Sequence, residues 1–175
     1  MNNNLCNFQK WFKEPLNSLY SNPDAGFIIL MISLPLLERY LREKSNAYES
    51  YKLPDKYYSE LINIFPDLNN LEMARKFWRV YRHGLLHQAT LQVKKPSTIL
   101  SVTVHNEAKE IEYGYSAQGD IICVSPIKVS KKIISLIESD FQTFEGMNSP
   151  NNPLDDIDSD TGRSGYHQKR NNQQL

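Results

Sequence analysis

The run Gly26-Phe27-Ile28-Ile29-Leu30-Met31-Ile32-Ser33-Leu34-Pro35-Leu36-Leu37-Glu38 decides the class of fold. It is apolar almost all round a helical wheel, and a helix without a polar face is predicted to sit in the middle of a bundle. It is also too short to cross a bilayer, which takes about 20 apolar residues, and Glu38-Arg39 end it at once. We therefore read 25–42 as a core helix, kinked at Pro35 and leaving the core at Arg42, Glu43 and Lys44. Upstream, Ser21-Asn22-Pro23-Asp24 is a turn cluster, with Asp24 the expected N-cap.

Helices are predicted on both sides of this run. Leu5, Phe8, Trp11, Phe12, Leu16 and Leu19 recur at helical spacing, with Pro15 bending or dividing the segment. A helix is predicted over 55–65, between Pro54 and Pro66. Another starts at Asn69 or Asn70 as N-cap and carries Leu71, Ala74, Phe77, Trp78, Tyr81 and Leu85 as its apolar stripe. After Gln88 the period changes. The runs 99–104, 111–115 and 120–124 read as short strands of a small antiparallel meander, within about 98–124. Ser125-Pro126 then opens a last helix, carrying Val129, Ile133, Leu136, Ile137, Phe141 and Phe144, which Gly146 closes.

The expected architecture is thus mainly α: one helical domain over 1–147 with the meander inserted before its last helix. A tail over 148–175, rich in Asn, Asp, Ser, Gly and Gln, is expected to be disordered. Within it Asp156, Asp158 and Asp160 resemble the start of a calcium loop, but the glycine falls one place late at Gly162 and His167 stands where the closing Glu belongs. No metal and no cofactor is expected. Only 7 glycines are present, so a dinucleotide fingerprint is excluded.

Charge is balanced, 20 basic against 20 acidic residues, which argues against a whole-surface grip on nucleic acid or membrane while leaving a local basic face open. Cys6 and Cys123 are far apart and lack any CxxC partner, so they read as small apolar side chains in a reducing compartment. The N-terminus has no basic stretch followed by an apolar one, as a signal peptide would. A cytoplasmic location without membrane contact is expected.

One segment carries chemistry: Arg82-His83-Gly84-Leu85-Leu86-His87. On an α-helix Arg75, Arg79 and Arg82 fall on one face, and arginines at successive turns suit phosphate because each presents a planar fork of donors. The plainer reading of Arg75 and Arg79 is a solvated cationic face. His87 can take and give protons near neutrality, and Arg82 can stabilise charge on a phosphoryl group in transfer. Together they supply what metal-free cleavage of RNA requires. Five residues of α-helix leave Arg82 and His87 about 140° apart, so either the helix loosens at Gly84 or two subunits share the site. Glu38 is a candidate orienting acid, paired with Arg82 or a histidine, or more plainly with Arg42 one turn on. His105 and His167 read as turn and tail residues.

This segment resembles the Arg-polar-(x)3-to-5-His motif of the HEPN superfamily, small helical bundles that include metal-independent ribonucleases of toxin–antitoxin, abortive-infection and CRISPR systems. The resemblance implies that Arg82 and His87 are catalytic, that His83 is the polar residue following the Arg, and that a homodimer brings two motifs together. It implies an RNA substrate, and an antitoxin or inhibitor protein as a further partner. A subset of the family has Tyr two residues after the His; here Ala89 stands there. Two other functions remain open. One is a non-catalytic module whose arginine edge binds RNA or a nucleotide. The other is an interaction protein using the edge of the meander, with Tyr113 and Tyr115 as anchors.

Overall fold

In the computed structural model, which describes residues 3–47, 52–85, 99–105, 108–116 and 119–146, the apolar run forms a single long helix, α3 (Gly26–Ser45). It is preceded by α1 (Asn3–Phe8), a π-helical stretch (Gln9–Lys13) and α2 (Glu14–Leu19). It is followed by α4 (Asp55–Ile64), α5 (Leu71–Phe77) and a second π-helical stretch (Trp78–Gly84). Three strands come next, β1 (Ile99–Val104), β2 (Ile111–Ser116) and β3 (Gly119–Val124), and then α6 (Pro126–Ser139) and α7 (Phe141–Glu145). The protein is mainly helical, with a small sheet before the last helices. The tail over 148–175 lies outside the described residues.

Local chemistry explains most boundaries. Asn70 caps α5 by accepting the Met73 N–H at 2.9 Å, and Ser125 caps α6 by accepting from Lys128 N–H. Pro15 lacks the N–H that would continue the ladder, and the turn before it widens: the Glu14 N–H reaches back five residues to the Gln9 carbonyl. Asn22 caps the short 3-10 turn Pro23–Ala25 that leads into α3, accepting the Asp24 N–H at 2.9 Å, and α3 itself starts from Ala25 with no side-chain cap, so the expected cap by Asp24 is not made. The last helix is divided at Asp140, whose carboxylate accepts from Tyr40, Lys44 and Thr143. Gly146 ends the helix at φ 75°, where a side chain would collide with Glu43.

Helix α3 packs against α6 on one side and against α4, α7 and the second π stretch on others. Its Ile29, Leu30, Leu34, Leu37 and Leu41 are fully buried with Val129, Ile133 and Ile137 of α6. A buried hydroxyl chain fastens the same interface: Ser33 Oγ lies 2.7 Å from Ser130 Oγ, which lies 2.8 Å from the Tyr20 hydroxyl. The expectation of burial all round fails at the start of the helix, where Phe27, Ile28 and Met31 are 47%, 53% and 38% exposed. Ile29 and Leu30 are buried here, so only one face of this first part is bare.

In the sheet, β2 and β3 form the expected antiparallel hairpin, while β1 lies on the other side of β3 and runs parallel to it. The sheet is therefore mixed, in the order β1-β3-β2, instead of a simple meander. The connection 105–110 is long enough to step across one strand, about 10 Å. Its ends are pinned to the exit of β3, with His105 N–H on the Val124 carbonyl and Ser125 N–H on the Glu110 carbonyl, both at 3.0 Å. Tyr81 ties the bundle to the sheet, donating to the Ile122 carbonyl at 2.9 Å. Tyr113 packs against the core, so it is not a free anchor. Among the described residues no helix is long and apolar enough to cross a membrane, and Cys6 and Cys123 form no disulfide.

Candidate functional site

The motif segment lies on the second π stretch, and that alters which side chains share a face. Hydrogen bonds from i to i+5 put about 4.4 residues in each turn, against about 3.6 in an α-helix. Across Trp78–Gly84 the slower rotation carries Arg82 roughly 90° off the line of Arg75 and Arg79, and His83 takes its place. The expected row of Arg75, Arg79 and Arg82 is therefore split. Arg75, Arg79 and His83 are exposed and line one cleft, while Arg82 turns inward.

Arg82 meets Glu38. Its Nε donates to Glu38 Oε2, and Arg42 donates to Oε1 through Nε at 2.9 Å and Nη2 at 2.8 Å. Both pairings considered for Glu38 thus occur at once, one carboxylate between two guanidiniums. Glu38 is 9% exposed, and a buried carboxylate persists as an anion only when its oxygens are paired. Arg42 also donates to the Ala47 carbonyl at 3.0 Å, which anchors the cluster to the end of α3. The group carries one net positive charge beside the motif.

Tyr57 lies beside the cluster and packs on Trp78, and neither was legible as a site residue. Both are fully buried, with ring centroids 5.3 Å apart and edge to face. Neither the Tyr57 hydroxyl nor the Trp78 indole N–H has a hydrogen-bond partner among the described residues. Burial, reinforced by the Glu38 carboxylate, pushes the Tyr57 hydroxyl far above the usual phenol range, so it stays protonated. The paired tyrosines at 57 and 58, at the level of Glu38, were the only sequence signal, and a core helix explains such a pair equally well.

Outside the cluster, a cleft of about 430 Å³ is lined by Tyr58, Glu72, Arg75, Lys76, Trp78, Arg79 and His83. Arg75 pairs with Asp55 and stands over the Tyr58 ring at 5.3 Å. Lys76 pairs with Glu72 at 2.8 Å. Arg79 has no hydrogen bond or ion pair among the described residues. A second groove runs along α6, lined by Glu110, Lys128, Lys131, Lys132 and Ser135, a basic row not anticipated from the sequence. Its lysines are engaged: Lys128 on the Ala108 carbonyl, Lys132 on Glu110 and Lys131 over the Tyr20 ring.

Of the expected site residues, the fold joins Glu38 to Arg82 and groups Arg75, Arg79 and His83; His87 lies outside the described residues. His105 is an exposed turn residue, and His167 lies outside the described residues. Among the described residues no group of His, Cys, Asp or Glu is placed to hold a metal ion. No protein-family model matches the chain, and comparison with curated proteins and with solved structures yields no significant match.

Proposed function

We propose that the protein is a metal-independent endoribonuclease of HEPN type, with Arg82 and His87 carrying the chemistry and His83 beside them. The observation that carries this reading is the Arg82–Glu38 ion pair at the π turn within the motif segment. A π turn inside an α-helix is uncommon and concentrates at functional sites. A fork held on one edge by a carboxylate keeps its remaining N–H donors in a fixed direction, which is what stabilising charge on a phosphoryl group requires.

In the proposed reaction the ribose 2′-oxygen attacks the neighbouring phosphorus and the 5′-oxygen of the next nucleotide leaves. The products are a 2′,3′-cyclic phosphate and a 5′-hydroxyl. His87 takes the 2′ proton or gives one to the departing oxygen, and Arg82 neutralises the charge that builds on the phosphoryl oxygens. Arg75 and Arg79 hold the flanking backbone. A homodimer supplies the second motif. The exposed apolar side chains Phe27, Ile28 and Met31 at the start of α3 support this as a surface for a second subunit to cover.

The test is cleavage of a labelled RNA in EDTA, with the ends of the products identified. Cutting that leaves cyclic phosphate, and is lost in Arg82→Ala and His87→Ala, supports the reading. Protein that binds RNA but never cuts it, with both variants unchanged, overturns it. The exposed Arg79 in its cleft favours a second reading, a non-catalytic RNA- or nucleotide-binding module, for which His87 is dispensable.

A further inference from the structure

The groove along α6 carries charge that its own lining does not balance. Lys128, Lys131, Lys132, Ser135 and Ser139 recur at three- and four-residue intervals, so they share one face of the helix. Among the described residues the only carboxylate in that lining is Glu110, and Lys132 takes it at 3.2 Å. Lys131 is exposed and makes no ion pair among the described residues; its ammonium stands over the Tyr20 ring at 5.3 Å. Leu136 adds a partly buried apolar side chain to the same face. The groove is open and holds about 580 Å³, which suits a segment lying lengthwise better than an enclosed small molecule.

The chain itself holds a segment of matching chemistry. Leu154-Asp155-Asp156-Ile157-Asp158-Ser159-Asp160 is the densest acidic run in the sequence, and no basic residue stands between Lys132 and Arg163. The run lies outside the described residues, but the end of α7 sets where it starts. Back along both helices from Gly146 to Leu136 is at most about 20 Å, and the eight residues from Gly146 to Leu154 extend to about 26 Å. Alternate residues of an extended chain are about 6.6 Å apart, close to the rise of about 6 Å over the four residues from Lys132 back to Lys128. We propose that the segment 154–160 docks along this groove of its own chain, antiparallel to α6. Leu154 then meets Leu136, Asp156 meets Lys131 and Lys132, and Asp158 meets Lys128. Each exposed ion pair contributes little alone, but the covalent tether keeps the effective concentration of the segment in the mM range. The contact is independent of Arg82 and His87, so the outcome of the cleavage assay does not bear on it.

Carbodiimide crosslinking of the full chain at low salt tests it, because this reagent joins a carboxylate to a lysine amine only where the two touch. An equal mixture of unlabelled and 15N-labelled chains separates links within one chain from links between copies. The acidic run should link to Lys128, Lys131 and Lys132 at least fivefold more often than to the exposed Lys52 and Lys56, and within one chain. Links spread evenly over these five lysines overturn the proposal. So do mixed-label links as frequent as same-label ones, which would assign the groove to a second copy. Backbone amide spectra give a second readout. A full-length variant with Asp155, Asp156, Asp158 and Asp160 all changed to Asn keeps every described residue. Its amide shifts should differ from wild type along α6 and stay unchanged in α3 and α4, and about 0.5 M salt should reproduce the difference in the wild type. If no α6 amide moves, the segment does not dock there.

Discussion

Arg82 donates its Nε–H to Glu38, 44 residues earlier in the chain, and so joins the motif segment to the centre of the core helix. Arg42 holds the other oxygen of the same carboxylate. The ion pair fixes the direction of the guanidinium and gives Glu38 its place in the interior.

Glu38→Gln keeps the shape of the side chain and removes its charge, leaving Arg42 and Arg82 facing each other without an anion. We expect a loss of about 2–4 kcal/mol, toward the lower side of what breaking a buried ion pair costs, because both guanidiniums keep some exposure to solvent. Urea denaturation measures it. A variant as stable as the wild type would show that the three-residue cluster contributes nothing to the fold.

Tyr57→Phe points in the opposite direction. The Tyr57 hydroxyl is buried without a partner among the described residues, so deleting it removes a desolvation cost and breaks no hydrogen bond there. Stability should stay level or rise by up to about 1 kcal/mol. A loss of more than that would mean the hydroxyl is bonded in solution.

Ser130→Ala breaks the hydroxyl chain that links α2, α3 and α6. Tyr20 and Ser33 each lose a partner at that oxygen, although Ser33 keeps its bond to the Ile29 carbonyl at 2.7 Å. The expected cost is about 1–2 kcal/mol, read as a lower thermal midpoint. An unchanged midpoint would mean that apolar packing alone holds this interface.

Acid should probe the break between α6 and α7. Burial by itself would raise Asp140, but hydrogen bonds from Thr143, Tyr40 and Lys44 outweigh it and hold the carboxyl below its usual range. A carboxylate with a lowered folded value stabilises the protein above its unfolded value, near about 3.9, and that contribution disappears as pH falls through the folded value. Asp140→Asn should therefore be less stable than wild type at neutral pH and lose less between about pH 5 and 2. Parallel curves over that interval would contradict the assignment.

Salt dependence tests the arginines as a set. If Arg75, Arg79 and Arg82 sit on phosphates, the triple alanine variant should bind RNA more weakly. The slope of log affinity against log salt should then fall by about 0.7 for each phosphate of a single strand that is no longer neutralised. An unchanged slope would place the RNA elsewhere.

Much of the fold was legible in the sequence because it rests on local signals. The apolar run from Gly26 to Leu37, the caps at Asn70 and Ser125, the closing Gly146 and the three strands all follow from side-chain periodicity and turn chemistry within a few residues. The motif segment was legible for the same reason. The sharing of faces was not. It depended on a π turn over Trp78–Gly84, a choice of hydrogen-bond partner that no single residue announces, and this turn placed His83 in the cleft and sent Arg82 to Glu38. The place of β1 across β3, the bare start of α3 and the unopposed charge of Arg79 likewise depend on which distant segments meet. Sequence alone determined where the main helices and strands form and left Arg82, a histidine and Arg42 open as partners of Glu38; only the tertiary structure decided that both arginines pair with it, since a contact between residues 44 apart has no local signature.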